Sequence, residues 1–304
     1  IDIHIMPDLP EATPQMDKDM FDVLFNTSLL QPDQMKIYPC EVVPWTVIEK
    51  WYKSGKYVPY SQENPDQLID VVQYAMLNCK PWMRIPRIVR DIPLPYISGG
   101  NTCMNMRQVI DTKLKKVDKY SNDIRSREIG RHIEYDIKNA SYVVRKYEAS
   151  DGFEYFISLE SRDYKVIFGF IRLRIPPLQH SPVFSGITNT GLVRELHVYN
   201  NIVPVGHNKS ISTQHMGIGK KLLIFAENIS WVNGLFGVSV ITGEGVRDYY
   251  HKRGYQSIDT YAIKYFKSTF FQKMRFSKYI YINYLHLWFV YIMEFIIGLV
   301  YTFC

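Results

Sequence analysis

The pattern of apolar and polar positions divides residues 1–98 into alternating strands and helices. The segment TPQMDKDMFDVLF places apolar residues at helical spacing, with Thr13 as the N-cap and Pro14 in the first turn. A second amphipathic helix is predicted for ENPDQLIDVVQYAML, and strands for the runs IDIHI, MKIYPC and WMRIPRIVRDIPLP. Strands alternating with helices favour a parallel α/β arrangement.

The pattern changes twice downstream. Residues 99–140 open with ISGGN, a linker signal, and continue with the basic helix MRQVIDTKLKKV, so we expect a basic linker between two domains. Residues 141–266 begin with four strand candidates, and Asp151-Gly152 between the first two is a hairpin signal. A glycine-led helix, a strand, a helix and a last strand follow, in the segments QHMGIGKKLLIFAENISW, FGVSVITG, GVRDYYHKRG and TYAIKYF.

The tail, residues 267–304, is basic and then apolar. Residues 279–304 hold one charged residue, Glu294, and about 20 apolar residues span a bilayer. The basic residues before this stretch favour a cytosolic N-terminal side. We therefore predict a membrane-spanning segment at 279–304. Two alternatives stay open, an apolar extension buried against the domain and a translated intron.

Charge is distributed unevenly along the 304 residues. Residues 1–80 carry 6 basic and 12 acidic side chains, whereas residues 81–150 carry 14 and 8, and the rest carries 16 and 10. The net charge of +6 therefore lies downstream of residue 80, as expected where a polyanion binds, although a solvated basic surface has the same composition. The apolar fraction of 46% excludes disorder and collagen. Because residue 1 is Ile, we expect a fragment or a processed product.

The four cysteines, Cys40, Cys79, Cys103 and Cys304, form no CxxC pair and no disulfide framework. We therefore expect a reducing compartment, the cytoplasm or also the nucleus, and no metal ligands in this chain.

The strongest chemical motif is Gln214-His215-Met216-Gly217-Ile218-Gly219, between a strand and a helix. Glycines at a helix start let backbone N–H groups approach a phosphate. An ordinary strand-to-helix turn is the alternative. A second motif, YYHKRGY, resembles the Y-x-x-x-G-[FY] segment that closes the site of GNAT acetyltransferases. This resemblance implies that Tyr250 acts as a general acid beside a leaving thiolate, with aromatic packing as the alternative.

Five collinear segments resemble the catalytic third subunit of Elongator: IVRDIPLPYI, DIRSREIG, LVRELHVYN, QHMGIGKKLL and RDYYHKRGY. Further upstream, DIHIMPDLPEATPQMDKDMF and QPDQMKIYPCEVVP resemble the C-terminal part of that family's radical-SAM domain. The resemblance covers residues 1 to about 266. It implies an α/β fold, with the C-terminal part of a radical-SAM partial TIM barrel at 1–98 and a GNAT acetyltransferase domain at 141–266.

The resemblance also implies an activity, the acetylation of the wobble uridine U34 of tRNA by acetyl-CoA and SAM radical chemistry, which leads to 5-carboxymethyluridine-type bases. It implies tRNA and other Elongator subunits as partners. Tyr250 lies beside the thioester in this interpretation. The cofactor-binding positions it implies are Glu195, Leu196, His197, Val198, Gln214, Gly217, Ile218, Gly219, Lys220 and Tyr250.

The chain departs from the family in its ligand positions. The CxxxCxxC motif of the family's [4Fe–4S] cluster is absent, so we expect the cluster and SAM site in a longer protein. Ser121, Asp123 and Ser126 stand where some members have zinc-binding cysteines, so we expect no zinc here.

Basic residues of the middle region could contact RNA phosphates. The predicted RNA-binding residues are Arg84, Arg87, Arg90, Lys113, Lys115, Lys116 and Lys119, with Arg125, Arg127 and Arg131 nearby. For Arg125 and Arg127 the alternative is ion pairing with Asp123 and Glu128 at the domain interface.

Two other functions stay open. One is acetylation of protein lysines, as of histones, for which Glu195 is a candidate base by position. The other is an inactive scaffold that binds tRNA or Elongator partners, which the missing cluster motif favours.

Overall fold

The first hundred residues build a small parallel layer. The computed structural model describes residues 1–132, 134–177, 187–199 and 217–266. Strand β1 (Asp2–Ile5) pairs in parallel with β2 (Gln34–Ile37), and helix α1 (Pro14–Asn26) connects them. The Thr13 hydroxyl accepts a hydrogen bond from the Met16 N–H at 3.2 Å, which confirms the predicted N-cap.

The next predicted strand joins this layer through two parallel bridges, Gln34 to Arg84 and Ile37 to Ile88. Helix α4 (Pro65–Asn78) precedes it and packs on α1, burying Phe21 and Met76 completely. The predicted parallel α/β order is therefore confirmed. The short elements around it are α2 (Val47–Lys53), α3 (Tyr60–Glu63), and the antiparallel pair β3 (Glu41–Val42) and β4 (Gly99–Gly100).

The middle region begins with the predicted basic helix, α5 (Met106–Lys116). Its apolar face, with Met106, Ile110 and Leu114, is buried in the N-terminal core, so its lysines face outward. A single turn, α6 (Ile124–Arg127), follows.

The C-terminal region is a seven-stranded sheet with the spatial order β10-β11-β9-β8-β7-β6-β5. Adjacent strands run antiparallel except for β8 and β9, which are parallel because helix α7 (Ile218–Val232) crosses between them. Helix α8 (Arg247–His251) connects β9 to β10. The strands are β5 (Ala140–Ala149), β6 (Gly152–Ser161), β7 (Ile167–Ile175), β8 (Thr190–Val198), β9 (Gly237–Ile241), β10 (Gln256–Ile258) and β11 (Tyr261–Tyr265).

The predicted hairpin forms, but its turn lies one residue earlier than the Asp-Gly signal indicates. Ala149 pairs with Gly152, so the two turn residues are Ser150 and Asp151, both with positive φ. Gly152 instead begins β6, where a Cβ would come within 2.8 Å of the Ile175 carbonyl oxygen.

Residues Ile1–Tyr265 form one compact unit. Trp82 from the N-terminal part stacks on Tyr147 of β5, with ring centroids 4.1 Å apart. The domain boundaries predicted at residues 98 and 140 stay predictions. The predicted membrane segment at 279–304 lies outside the described residues, and none of the described helices is both long and apolar enough to cross a bilayer.

Candidate functional site

The site begins with a gap beside β8. This strand pairs with β9 only from Thr190 to Val193, whereas its pairing with β7 continues to Val198. The register with β7 shifts between Arg172 and Leu173, which is the mark of a β-bulge. The second half of β8 therefore leaves β9, and among the described residues no strand pairs with one row of its backbone groups, which a ligand could use. The predicted cofactor residues Glu195, Leu196, His197 and Val198 all lie on this half.

The N-terminus of α7 lies at the same end of the sheet. Gly217 is its N-cap in the left-handed conformation, with φ of 71°, which favours glycine. The first backbone N–H that bonds back to the Gly217 carbonyl is that of Lys221. The N–H groups of Ile218, Gly219 and Lys220 come before it, so they have no acceptor in the helix and can bind an anion. Gln214, the remaining predicted residue of this motif, lies outside the described residues.

Three elements meet at Gly219. A Cβ built on this residue would lie 2.5 Å from the Tyr249 hydroxyl oxygen on α8 and 3.7 Å from Val198 Cγ2 on β8. Only glycine leaves room for that approach without moving a neighbour. The start of α7, the second half of β8 and the tyrosine pair of α8 thus meet at Gly219.

The two adjacent tyrosines of α8, Tyr249 and Tyr250, have different surroundings. Tyr250, the predicted catalytic residue, is 6% exposed and packs edge-on against Tyr249 and Tyr255. Burial raises the pKa of Tyr250 to about 12, so its hydroxyl keeps its proton at neutral pH. The hydroxyl beside Gly219 belongs to Tyr249, which sequence reasoning passed over; the adjacent pair of tyrosines was the available signal.

Arginine side chains hold the bulged part of β8 in place. Arg172, 1% exposed, lies near the rings of Phe156 and Phe170 and donates from Nε to Glu195 at 2.9 Å. Arg194, at the bulge, makes two hydrogen bonds of 2.7 Å to Asp33 of the N-terminal part.

Asp33 is thus the N-terminal anchor of this strand. Burial alone would raise the pKa of Asp33, but the hydrogen bond from Arg194 and the charge of Arg172 outweigh it and hold the pKa well below its usual range. The carboxylate therefore stays ionised and ties the N-terminal layer to β8.

His197 packs between aromatic rings. Its imidazole lies 6.1 Å from the Phe170 ring and 4.4 Å from the Tyr199 ring, centroid to centroid. Partial burial lowers the pKa of His197, so the ring is mainly neutral at pH 7.

The predicted RNA-binding residues separate into paired and exposed groups. Arg84 is paired with Glu128 at 2.6 Å, Lys113 with Asp66 at 2.8 Å, and Arg87 loosely with Asp91 at 3.7 Å. The other four are exposed and have no carboxylate at ion-pair distance in the described ranges: Arg90, Lys115, Lys116 and Lys119.

The alternative pairing predicted for Arg125 and Arg127 is wrong in its partners. The Arg127 guanidinium is buried, but it pairs with Glu160 of β6 at 3.3 Å. Arg125 gives Asp123 only its backbone N–H, and Glu128 pairs with Arg84 instead. The reason is tertiary, because β6 brings a buried carboxylate that is distant in the sequence.

No group of three or more His, Cys, Asp or Glu side chains among the described residues could hold a metal ion. The Arg107 guanidinium contacts Asp123 at 3.2 Å and Ser126 Oγ at 2.6 Å, so a cation already occupies the cluster of Ser121, Asp123 and Ser126. Burial raises the pKa values of the Cys40 and Cys79 thiols, which disfavours the thiolates an iron–sulfur cluster needs. The described residues therefore do not fit a [4Fe–4S] cluster.

Comparisons with known proteins agree with this architecture. The family model described as the radical-SAM C-terminal domain matches residues 32–116. Elongator complex protein 3 of Homo sapiens is 34% identical over 268 residues, covering 87% of this chain and 48% of that protein. The tRNA uridine(34) acetyltransferase of Methanocaldococcus jannaschii is 36% identical over 274 residues, covering 87% and 49%.

A solved structure extends the similarity to three dimensions. The archaeal Elp3 of Methanocaldococcus infernus, solved with an N-terminal deletion, superposes with a TM-score of 0.78 at 34% identity and covers 87% of this chain and 63% of that one. The predicted α/β fold class is confirmed. The chain spans about half the length of the curated relatives it matches. Over 86–87% of its own length, this chain is similar in sequence to Elongator complex protein 3 and to the archaeal tRNA uridine(34) acetyltransferase.

Proposed function

We propose that this chain supplies the acetyl-CoA site of a tRNA uridine(34) acetyltransferase, an acyltransferase of tRNA modification. The observation that carries the proposal is the meeting of the α7 N-terminus, the second half of β8 and the tyrosine pair of α8 at Gly219. The names of the homologous proteins supply the substrate, tRNA, and the assembly, the Elongator complex.

Each element has a distinct task in this proposal. The N–H groups of Ile218, Gly219 and Lys220 bind the pyrophosphate of acetyl-CoA. The backbone from Glu195 to Val198 forms hydrogen bonds with the pantetheine arm, as it would with an added β-strand. Bound acetyl-CoA supplies the two-carbon unit as a thioester.

The tyrosines act at the end of that arm. With a pKa near 12, Tyr250 holds a proton that it can share with a leaving sulfur, and Tyr249 closes the space beside the helix. Both hydroxyls serve as hydrogen-bond donors rather than bases.

SAM and a [4Fe–4S] cluster belong to the proposal for the longer protein. Because the described residues do not fit the cluster, no step of this proposal passes through it. Cytoplasmic location, with the nucleus as a second location, stays a prediction.

Acetylation of protein lysines is the second candidate. It needs a free carboxylate base, and Glu195 is the candidate by position. The Arg172 guanidinium engages that carboxylate at 2.9 Å, which disfavours proton abstraction by Glu195 and favours the tRNA reaction. The scaffold alternative predicts no acetyl-CoA binding.

The first test is binding of acetyl-CoA to the chain by calorimetry, followed by acetyl-CoA hydrolysis with and without tRNA. We expect binding, and hydrolysis that tRNA stimulates but a histone-tail peptide does not. Acetyl transfer to the peptide without a tRNA effect would support the lysine alternative. The absence of acetyl-CoA binding would support the inactive-scaffold alternative. In the complete enzyme with SAM, modified U34 should be detected in tRNA by mass spectrometry.

A further inference from the structure

A cavity lies where the middle region meets the sheet. Its volume is about 200 Å³, and none of its lining residues belongs to β8, α7 or α8. Its walls come from the C-terminal half of α5, the residues around α6, and Lys165 in the turn between β6 and β7. Since one water occupies ~30 Å³, the cavity has room for a small hydrated ion.

The lining is strongly basic. Five cationic side chains contribute to it, namely Lys115, Lys119, Arg127, Arg131 and Lys165, against one carboxylate, Asp111.

Internal ion pairs cancel only two of these charges. Glu160 neutralises Arg127 at 3.3 Å, and Asp118 lies 3.3 Å from the Lys165 ammonium. In the described part of the chain, Lys115, Lys119 and Arg131 have no carboxylate at ion-pair distance. Three cations thus face Asp111 alone, and an excess of positive charge remains in a confined space.

The cavity is also held in shape. The Lys165 ammonium sits 3.9 Å from the centre of the Tyr120 ring, and the His132 Nε2 lies 2.7 Å from the Ser126 carbonyl oxygen. Arg127 is fixed by bonds to Asn122 and Tyr164 carbonyl oxygens. Arg127 and Lys165 thus form a fixed part of the lining, whereas Lys115, Lys119 and Arg131 are exposed lining side chains that can add charge-assisted hydrogen bonds to an anion.

We propose that this cavity binds a phosphate group, and that the phosphate belongs to the backbone of an RNA lying across the middle region. The second part rests on the proposed function, whereas the first part does not. Lys115, Lys119 and Arg131 then belong to one binding site. Lys113 and Lys116 of α5 lie outside it.

The anion site is tested with inorganic phosphate on the full chain. We expect phosphate to raise the melting temperature, and Lys119→Gln and Arg131→Gln to abolish that rise. Lys116→Gln, which removes the same charge from an exposed lysine of α5 outside the cavity, should keep it. A phosphate effect that is equal in all three variants would overturn the site. If Arg131→Gln does not fold, the exposed Lys119 variant carries the test.

The source of the phosphate is tested with a single-stranded RNA of anticodon-loop length. We expect Lys119→Gln and Arg131→Gln to weaken RNA binding about tenfold each, as for a lost charged hydrogen bond, and phosphate to compete with the RNA. Unchanged RNA affinity, with phosphate binding intact, would overturn RNA as the source and leave a site for a free anion. Acetyl-CoA binding, measured on the same variants, should not change. If the parent chain does not bind acetyl-CoA at all, that result would count against the proposed function and not against this cavity.

Discussion

The junction at Gly219 and the basic middle region, the two proposed binding regions, are built by different physical means. At the junction, backbone N–H groups, a glycine and aromatic rings define the space. In the middle region, charged side chains do so, and several of these charges are used internally. We therefore expect the junction to be sensitive to a single added methyl group and the middle region to be sensitive to charge.

The largest expected effect concerns a charge used internally. Glu160 is fully buried. Its carboxylate accepts hydrogen bonds from Arg145 at 2.6 Å and 2.9 Å and also forms an ion pair with Arg127. Glu160→Ala leaves two cations without their shared partner, so we expect a loss of about 3–5 kcal/mol in the free energy of unfolding. Urea denaturation measures it. Glu148→Ala, an exposed carboxylate on β5, is the control and should stay within about 0.5 kcal/mol of the parent. Equal effects in both variants would contradict the internal role.

Low pH should also lower the stability of the fold through Glu160. Burial alone would raise the pKa of Glu160, but the Arg145 hydrogen bond and the Arg127 charge outweigh it and lower the pKa below the usual 4.5. Because the native pKa is the lower one, this stabilisation is complete above pH 4.5 and is lost as the pH falls through the native value. We expect the melting temperature to fall in that window.

Glu160→Gln provides the comparison for the acid effect. Since glutamine does not titrate, the fall in melting temperature should be smaller in this variant. A curve parallel to that of the parent chain would assign the acid effect to other carboxylates.

At the junction, Gly219→Ala should weaken acetyl-CoA binding by tenfold or more, which corresponds to about 1.4 kcal/mol. The reason is the Tyr249 hydroxyl, 2.5 Å from the added Cβ. Gly219→Ala combined with Tyr249→Phe should recover part of the affinity. Gly243→Ala is the matched control, since no atom lies within 4 Å of its Cβ position. No recovery in the double variant would show that Tyr249 is not what Gly219 accommodates.

The smallest expected effect separates paired from exposed arginines in RNA binding. Arg90→Gln should reduce the dependence of log Kd on log salt by ~0.7 for single-stranded RNA, as for one lost phosphate contact. Arg84→Gln should change it less, because Glu128 already neutralises that guanidinium at 2.6 Å. Salt titrations of both variants measure the difference, and a larger change for Arg84 would reverse the division.

Much of the fold could be predicted from local patterns. The Thr13 cap, the amphipathic α5 and the order of strands around the glycine-led α7 follow from spacing and turn chemistry within short segments. The shifted turn at Ser150 and Asp151 did not follow, because Gly152 is needed for contact with β7 rather than for the turn.

The candidate site could be predicted only in part. The motif around Gly219 identified the helix start, and Tyr250 was selected from a short motif. That Tyr249 is the tyrosine beside Gly219 depends on where α8 lies against α7, which no local spacing encodes.

By itself, the sequence determined the order of elements, the basic middle region and the glycine-led helix, since each depends on neighbours along the chain. Only the tertiary structure decided which charges remain available. Arg127 forms an ion pair with the distant Glu160, and Arg172 forms ion pairs with Glu195 and Asp33. In contrast, Lys115, Lys119 and Arg131 line one cavity. The physical reason is that a charge acts through its nearest partner in space, and folding chooses that partner.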